Sequence, residues 1–475
     1  MELDEQTCEQ ARLNRDARFD GRIFIGVTTT GVYCRPICPT PHAKRSHVQF
    51  FPSAAAAAHA GYRPCLRCRP EVAPGTPAWN GSSTTVNRGL RLIAEGALDE
   101  DGVDRLAERL GVTSRHLSRL FVRHLGALPT EIARTRRLHF AKQLISDTRL
   151  PMSQVALASG FGSIRRFNDV FRQCYGRPPS ELRRAGSRQR FAPDEYVFQL
   201  AYRPPYAWSA LLGFLAARAI PGVESVRDGA YRRAIELRDC QGVMEVSHRP
   251  EKHALQARIR LSRPELLLQA VSRARAMFDL NADPELIRRD LRRDRLLAPH
   301  LRRHPGMRLP GAWDPWELVV HAILAQDAAL DRTAALMGQL AERYGERLAA
   351  TGDIELARTF PRPSTLAAAE LAGMPPAACR MIRACARLLR TAGPGKPLDE
   401  LVPRLAHIEG MREATLQAIA MRALSDPDAL PLADDSPAIA TGPLGSAADL
   451  REHARSWKPW RGYAAMYLIC ASEGS

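Results

Sequence analysis

The sequence predicts a multi-domain protein, mainly α with α+β parts, and three observations carry that expectation. Its 475 residues exceed the roughly 250 to 300 residues at which a single hydrophobic core stops growing. Turn-rich stretches interrupt the chain at Pro74–Ser83 and Ala185–Pro193. The spacing of apolar residues also changes across the chain, from helical to alternating and back to helical.

Composition narrows the function classes. Hydrophobic residues make up 45% and charged residues 25% of the chain, the proportions of an ordinary folded protein. The formal charge is +17, which suits a polyanionic partner better than an acidic protein or a neutral metabolite. Residues 101–190 hold 18 Lys and Arg against 7 Asp and Glu, a surplus of 11, and so concentrated a basic segment points to nucleic acid. Met1–Asp20 is polar and lacks an apolar central run, so no signal peptide and a cytoplasmic location are expected. The best membrane candidate, Trp208–Ile220, is cut by Arg218 and falls short of the ~18 apolar residues of a span, so no membrane partner is expected. Ten cysteines in a reducing compartment do not suggest a disulfide framework, and a tight cluster among them reads as a metal or redox site.

The first expected domain, 1–75, contains such a cluster. Cys34 and Cys38 are separated by three residues, and Cys65 and Cys68 by two. Two close pairs can place four thiolates around one tetrahedral ion, the arrangement zinc accepts without redox chemistry. Closed four-thiolate sites are usually structural, so spacing alone leaves a purely structural zinc knuckle open. Around the pairs run Arg15-Asp16-Ala17-Arg18-Phe19-Asp20-Gly21, Thr29-Thr30-Gly31-Val32-Tyr33-Cys34-Arg35-Pro36 and Gly61-Tyr62-Arg63-Pro64-Cys65. Over residues 10–71 this pattern resembles the zinc domain of the Ada (adaptive-response) regulators. The resemblance implies one Zn²⁺ held by Cys34, Cys38, Cys65 and Cys68, with Cys34 accepting a methyl group from a DNA phosphotriester. Zinc keeps thiols ionised near neutral pH, and the ionised form is the nucleophile. Converting one of four zinc-bound thiolates to a thioether would change the net charge of the site from −2 to −1 and weaken its repulsion of phosphates. Thr30, Lys44, Arg45 and Arg67 are candidate phosphate contacts, although an exposed Lys or Arg is commonly just solvated.

The second domain, 84–186, is expected to be all-α. Val103–Leu117 has the layout of a helix, a turn containing Gly111 and a second helix, with Ser114 suited to the N-cap. Ser153–Cys174 repeats that layout about fifty residues later. Two copies joined by a long helix, with Gly160-Phe161-Gly162-Ser163-Ile164-Arg165-Arg166-Phe167 in the second, resemble AraC-type DNA-binding domains. The resemblance implies recognition helices beginning at Ser114 and Ser163. Arg115, Ser118 and Arg119 in the first and Arg165, Arg166 and Asn168 in the second are candidates to reach a major groove or its phosphates. Promoter DNA is then an expected partner, with RNA polymerase as a further one.

From Tyr196 to about Leu261, alternating runs such as Ala234, Ile235, Leu237 and Ala257, Ile259, Leu261 flank an apolar helix candidate at Trp208–Arg218. Helices are expected to return after Arg308, punctuated by Pro310-Gly311, Pro361–Pro363, Pro375-Pro376 and Gly393-Pro394-Gly395. The runs Leu309-Pro310-Gly311-Ala312-Trp313-Asp314-Pro315-Trp316-Glu317, Ala322–Gln326 and Trp457-Lys458-Pro459-Trp460-Arg461-Gly462-Tyr463 resemble AlkA-type 3-methyladenine DNA glycosylases of the helix-hairpin-helix superfamily. That implies an α+β domain at 190–303, a helical glycosylase-like domain at 304–475, alkylated double-stranded DNA as substrate and Asp435 as catalytic carboxylate. Such enzymes flip a damaged base out of the stack and cleave its bond to the sugar. An Asp-Asp pair such as Asp434-Asp435 is otherwise commonly a helix cap or surface acid.

The chain departs from that family pattern at several places. The hairpin, usually Ile-Pro-Gly-Ile-Gly-Pro-Trp-Thr, is Ile408-Glu409-Gly410-Met411-Arg412-Glu413-Ala414-Thr415. Gly410 and Arg412 are its candidate DNA contacts, but the second glycine is lost and Glu409 and Glu413 add acid where an anion should dock. Ala414, Ala418 and Ile469 stand where aromatic residues would stack on a flipped base, and Ser436-Pro437-Ala438 replaces the usual Leu-Gly-Leu. Two readings therefore stay open: a protein that senses methyl phosphotriesters, regulates transcription and excises alkylated bases, or a methyl-sensing regulator whose last part binds DNA or a partner without catalysis. Repair of alkylated guanine at a second cysteine is not expected, because the chain has no Pro-Cys-His-Arg motif.

Overall fold

The computed structural model describes residues 4–75, 84–99, 101–183, 194–348, 355–391, 398–432 and 446–473. Asp434, Asp435, Ser436–Ala438, the Gly393–Gly395 turn and most of both expected linkers lie outside them. The chain forms two compact units: Met1–Pro204 with Arg249–Arg275 and Leu280–Asp283, and Pro205–His248 with Ala276–Asp279 and Pro284–Ser475. This division passes through the stretch 190–303.

In the first unit, helix α1 (Glu5–Leu13) starts where Asp4 accepts the Thr7 N–H at 2.8 Å. Four short strands follow, β1 (Phe24–Val27), β2 (Val32–Cys34), β3 (Val48–Phe51) and β4 (Arg63–Pro64), with α2 (Ala54–His59) between the last two in sequence. Their order in the sheet is β3-β1-β2-β4. Phe24, Tyr33 and Ala57 are buried together as its core. β2 and β4 run parallel with Tyr33 opposite Pro64, and the Cys65 N–H donates to the Tyr33 carbonyl at 3.0 Å. Each strand thus delivers its first cysteine at the same end of the sheet.

The helical part of this unit consists of α3 (Thr84–Ala94), α4 (Val103–Arg109), α5 (Ser114–Leu125), α6 (Pro129–Asp147), α7 (Met152–Ala158) and α8 (Ile164–Tyr175). Leu106, Leu117, Phe121 and Leu125 are buried in a core shared by α3, α4 and α5. Ser114 is not the cap of α5. Gly111, at φ +68°, ends α4 early enough that the extended backbone of a cap falls on Thr113, whose hydroxyl accepts the His116 N–H at 3.3 Å. The second copy follows expectation, with Ser163 capping α8 through the Arg166 N–H at 3.1 Å. Both α5 and α8 end on left-handed glycines, Gly126 at φ +68° and Gly176 at φ +69°. Strands Glu195–Ala201 and Ala254–Leu261 pair antiparallel in the same unit, and Phe198 stacks on Phe140 of α6 with ring centroids 6.0 Å apart.

The second unit contains an antiparallel meander of Glu224–Arg227, Ala230–Leu237 and Cys240–Arg249. The apolar segment expected at Trp208–Arg218 is a helix over Trp208–Ala216. Helices resume earlier than the expected point after Arg308, at Leu267–Met277, most of which belongs to the first unit, and at Pro284–Leu291 in the second. Pro315–Leu324, Leu330–Tyr344, Pro376–Thr391 and Glu413–Ala423 contribute Val319, Ile323, Leu336, Leu340, Ile382 and Ile419 to one buried core. Asp314 caps the first of these by accepting the Trp316 N–H at 2.9 Å, with Pro315 in the first helical position. Among the described residues, no helix is long and apolar enough to cross a membrane.

Candidate metal centre and nucleic-acid interface

The parallel pairing of β2 with β4 brings the two cysteine pairs together. The sulfurs of Cys34, Cys38, Cys65 and Cys68 all lie within 4.8 Å of one another. Hydrogen bonds among the sulfurs hold Cys34 and Cys68 above the ordinary thiol range and Cys38 and Cys65 below it. Four sulfurs this close make a soft, negatively charged donor set that a single cation would neutralise, and the set fits zinc.

The four sulfurs are not equivalent. Cys38, Cys65 and Cys68 are buried, whereas Cys34 is partly exposed. Cys68 accepts the Arg35 backbone N–H at 3.3 Å, the Cys38 sulfur lies 3.0 Å from the Thr40 hydroxyl, and a backbone N–H of Cys68 bonds to Cys65. Arg35, next to Cys34, points inward. Its guanidinium bonds to both carboxylate oxygens of Asp20, one at 2.8 Å, and to the Cys68 carbonyl at 3.1 Å. Burial opposes its charge, but Asp20 keeps the guanidinium firmly protonated. Thr40, Arg35 and Asp20 were not expected at the site. Asp20 and Arg35 do occur in the motif runs, but nothing in their spacing shows that they pair.

The residues flanking the cysteines reach the long helix α6. The Tyr33 hydroxyl lies 2.8 Å from His139 Nε2. Burial lowers His139 to about 4 and raises Tyr33 well above the usual phenol range, so the hydroxyl donates to a neutral imidazole. Arg69, directly after Cys68 and in the left-handed conformation at φ +54°, binds Asp147 at 2.9 Å and Glu71 at 3.0 Å. Lys142 lies 3.6 Å from the same Glu71. On α2, Ser53 donates to the Leu125 carbonyl at 2.7 Å.

Thr30 sits in the exposed turn between β1 and β2, and Lys44 and Arg67 are exposed. Arg45 is already engaged, bound to Glu5 at 2.7 Å and lying 5.2 Å from the Phe50 ring. In α5, Arg115 and Arg119 are exposed and Ser118 half-buried, whereas Leu117 and Phe121 are buried. In α8, Arg165, Arg166 and Asn168 are exposed, while Phe167 and Phe171 are buried. Each of these two helices therefore turns its named polar residues away from its own core.

In the second unit, Gly410 makes the hairpin turn at φ +88°. Gln326 braces this turn. Its carbonyl oxygen accepts the Arg412 backbone N–H at 3.0 Å and the Thr415 hydroxyl at 2.6 Å, and its amide donates to the Gly410 carbonyl at 3.3 Å. The Arg412 guanidinium pairs with Asp327 at 2.5 Å. Asp435 lies outside the described residues, so its surroundings are not described.

Three family models match the chain: the metal binding domain of Ada at residues 7–71, a helix-turn-helix domain at 106–185 and the AlkA N-terminal domain at 197–314. A Mycobacterium tuberculosis protein named "Probable bifunctional transcriptional activator/DNA repair enzyme AlkA" is 39% identical over 486 aligned residues, covering 100% of this chain and 97% of that protein. DNA-3-methyladenine glycosylase 2 of Escherichia coli is 31% identical over 284 residues, which span 57% of this chain and 96% of the enzyme. A solved 3-methyladenine DNA-glycosylase from Archaeoglobus fulgidus shares the fold at a TM-score of 0.50 and 18% identity, over 58% of this chain and 98% of that structure. The four clustered cysteines are the zinc site that the Ada match calls for. Because the M. tuberculosis protein aligns with every part of the molecule, sulfur site, helix-turn-helix pair and hairpin alike, the chain belongs to the AlkA-type family of bifunctional transcriptional activator/DNA repair enzymes.

Proposed function

We propose that this protein takes a methyl group from a DNA methylphosphotriester onto Cys34, regulates transcription through its two helix-turn-helix copies and excises alkylated bases of the 3-methyladenine type. The division of labour follows four domains, 1–75, 84–186, 190–303 and 304–475, and the protein works in the cytoplasm, with DNA and RNA polymerase as partners. One observation carries the Cys34 assignment: of the four clustered cysteines, Cys34 is the one residue that is not buried. A bound zinc ion supplies a thiolate at neutral pH. The Cys34 sulfur attacks the methyl carbon, an S–C bond forms, and the C–O bond breaks with its electron pair going to the phosphate oxygen, which leaves an ordinary diester. Hydrogen bonds from Thr40 and from the Arg35 and Cys68 backbones damp the other three sulfurs. Phosphotriester DNA carrying a labelled methyl group should label Cys34, and Cys34→Ser should take up none. Label on another cysteine overturns the assignment.

A specific observation favours a second reading for the last domain, a non-catalytic DNA-binding or interaction module. Arg412, a candidate DNA contact, has its side chain held by Asp327 and its backbone N–H by Gln326. Release of 3-methyladenine or 7-methylguanine from methylated duplex DNA, stopped by Asp435→Asn, supports excision. No release by the unaltered protein leaves the second reading standing.

A further inference from the structure

Both cysteine pairs are tied to α6 by the residues next to them. Tyr33 precedes Cys34 and its hydroxyl is bound by His139 at 2.8 Å. Arg69 follows Cys68 and is bound by Asp147 at 2.9 Å. Glu71, almost wholly buried, lies between Arg69 and Lys142, at 3.0 Å and 3.6 Å. A third tie, Ser53 to the Leu125 carbonyl, joins α2 to the end of recognition helix α5. There is little slack at that point, because a Cβ on Gly126 would come within 2.9 Å of the Ala56 side chain.

These contacts are unlike an ordinary linker-joined pair of domains, whose interfaces are small and leave relative motion as the default. They are polar, and Tyr33, Ser53 and the Glu71 side chain are buried, so while the two sides are together each depends on its protein partner for a hydrogen bond that water cannot reach to supply. α6 also connects the two helix-turn-helix copies, since α5 precedes it and α7 and α8 follow it.

We propose that His139 and Asp147 of α6 are positioning residues for the sulfur site, so that metal occupancy at the four cysteines and the order of α6 form one cooperative unit. The inference rests on the zinc reading given above and adds to it a route by which the state of the sulfurs reaches both recognition helices. Linkage makes the effect reciprocal: metal that favours the ordered α6 is itself held more tightly when α6 is ordered.

The test uses the full chain. Metal content is measured first, with one equivalent of zinc expected. Backbone amide exchange is then compared for Ala141–Ile145 before and after zinc is removed with a chelator. Removal should speed that exchange at least tenfold, and cobalt in place of zinc should show the absorption of a four-thiolate site. In His139→Phe, which keeps a buried ring, and in Asp147→Asn, which keeps the shape of the side chain, the exchange difference should fall below threefold and the cobalt spectrum should shift. Equal protection of α6 with and without metal overturns the inference, as does an undiminished difference in both variants. A chain that takes up no metal at all defeats the sensor reading and this inference with it.

Discussion

Asp279 illustrates how one side chain can set a pH limit on the second unit. Its carboxylate accepts the Tyr463 hydroxyl at 2.7 Å and the Leu309 N–H at 3.0 Å. Burial nevertheless raises it to about 6 against an ordinary 3.8, with Arg308 acting in the opposite direction. A carboxyl whose folded value lies above its unfolded one stabilises the fold only while protonated. Its contribution is complete below about pH 4 and is lost as pH rises through about 6, a change of up to about 3 kcal/mol. Asp279→Asn keeps an acceptor for both donors and cannot ionise. Its unfolding free energy relative to the parent should therefore climb by up to about 3 kcal/mol between about pH 4 and about pH 8, as measured by urea denaturation. A pH-independent difference contradicts this account. The Asp20–Arg35 pair in the first unit is of another kind, since it is a buried ion pair in which removing either member strands the other.

At the scale of elements, the hairpin joining Leu398–Leu405 to Glu413–Ala423 holds its own cation. Arg412 pairs with Asp327 while Gln326 occupies its backbone N–H. Asp327→Asn should leave the guanidinium held only by the Gln326 carbonyl and open to a phosphate, tightening nonspecific duplex binding and steepening the log–log dependence of affinity on salt by about 1. An unchanged slope means that the hairpin does not meet the DNA backbone. Much at this scale was legible in the sequence. The cysteine spacing gave the cluster, and the start of α8 at Ser163 followed from the AraC-type resemblance. The Thr113 cap did not, because Thr113 and Ser114 are chemically interchangeable there and the choice depends on where Gly111 ends α4. His139 was equally illegible, because a histidine 106 residues away from Tyr33 carries no local pattern and only the packing of α6 brings the two together. The altered hairpin was visible as lost glycine and added acid, but its bracing by Gln326 was not.

For the molecule as a whole, the four cysteines lie in the first of the two compact units. A chelator should lower the thermal midpoint of the protein, because a ligand that binds only the folded state stabilises it. A midpoint unchanged by the chelator contradicts that expectation.

The pairing of Tyr33 with Pro64 across parallel strands has a consequence for how this protein can vary. Segments between the cysteine pairs can lengthen cheaply, since doubling a flexible loop costs only about 0.6 kcal/mol. Adding a single residue within either short strand is different, because side chains alternate and the whole strand would turn over. Descendants and engineered versions should therefore keep the count from Tyr33 to Cys34 and from Pro64 to Cys65 fixed, whatever else changes between the two pairs.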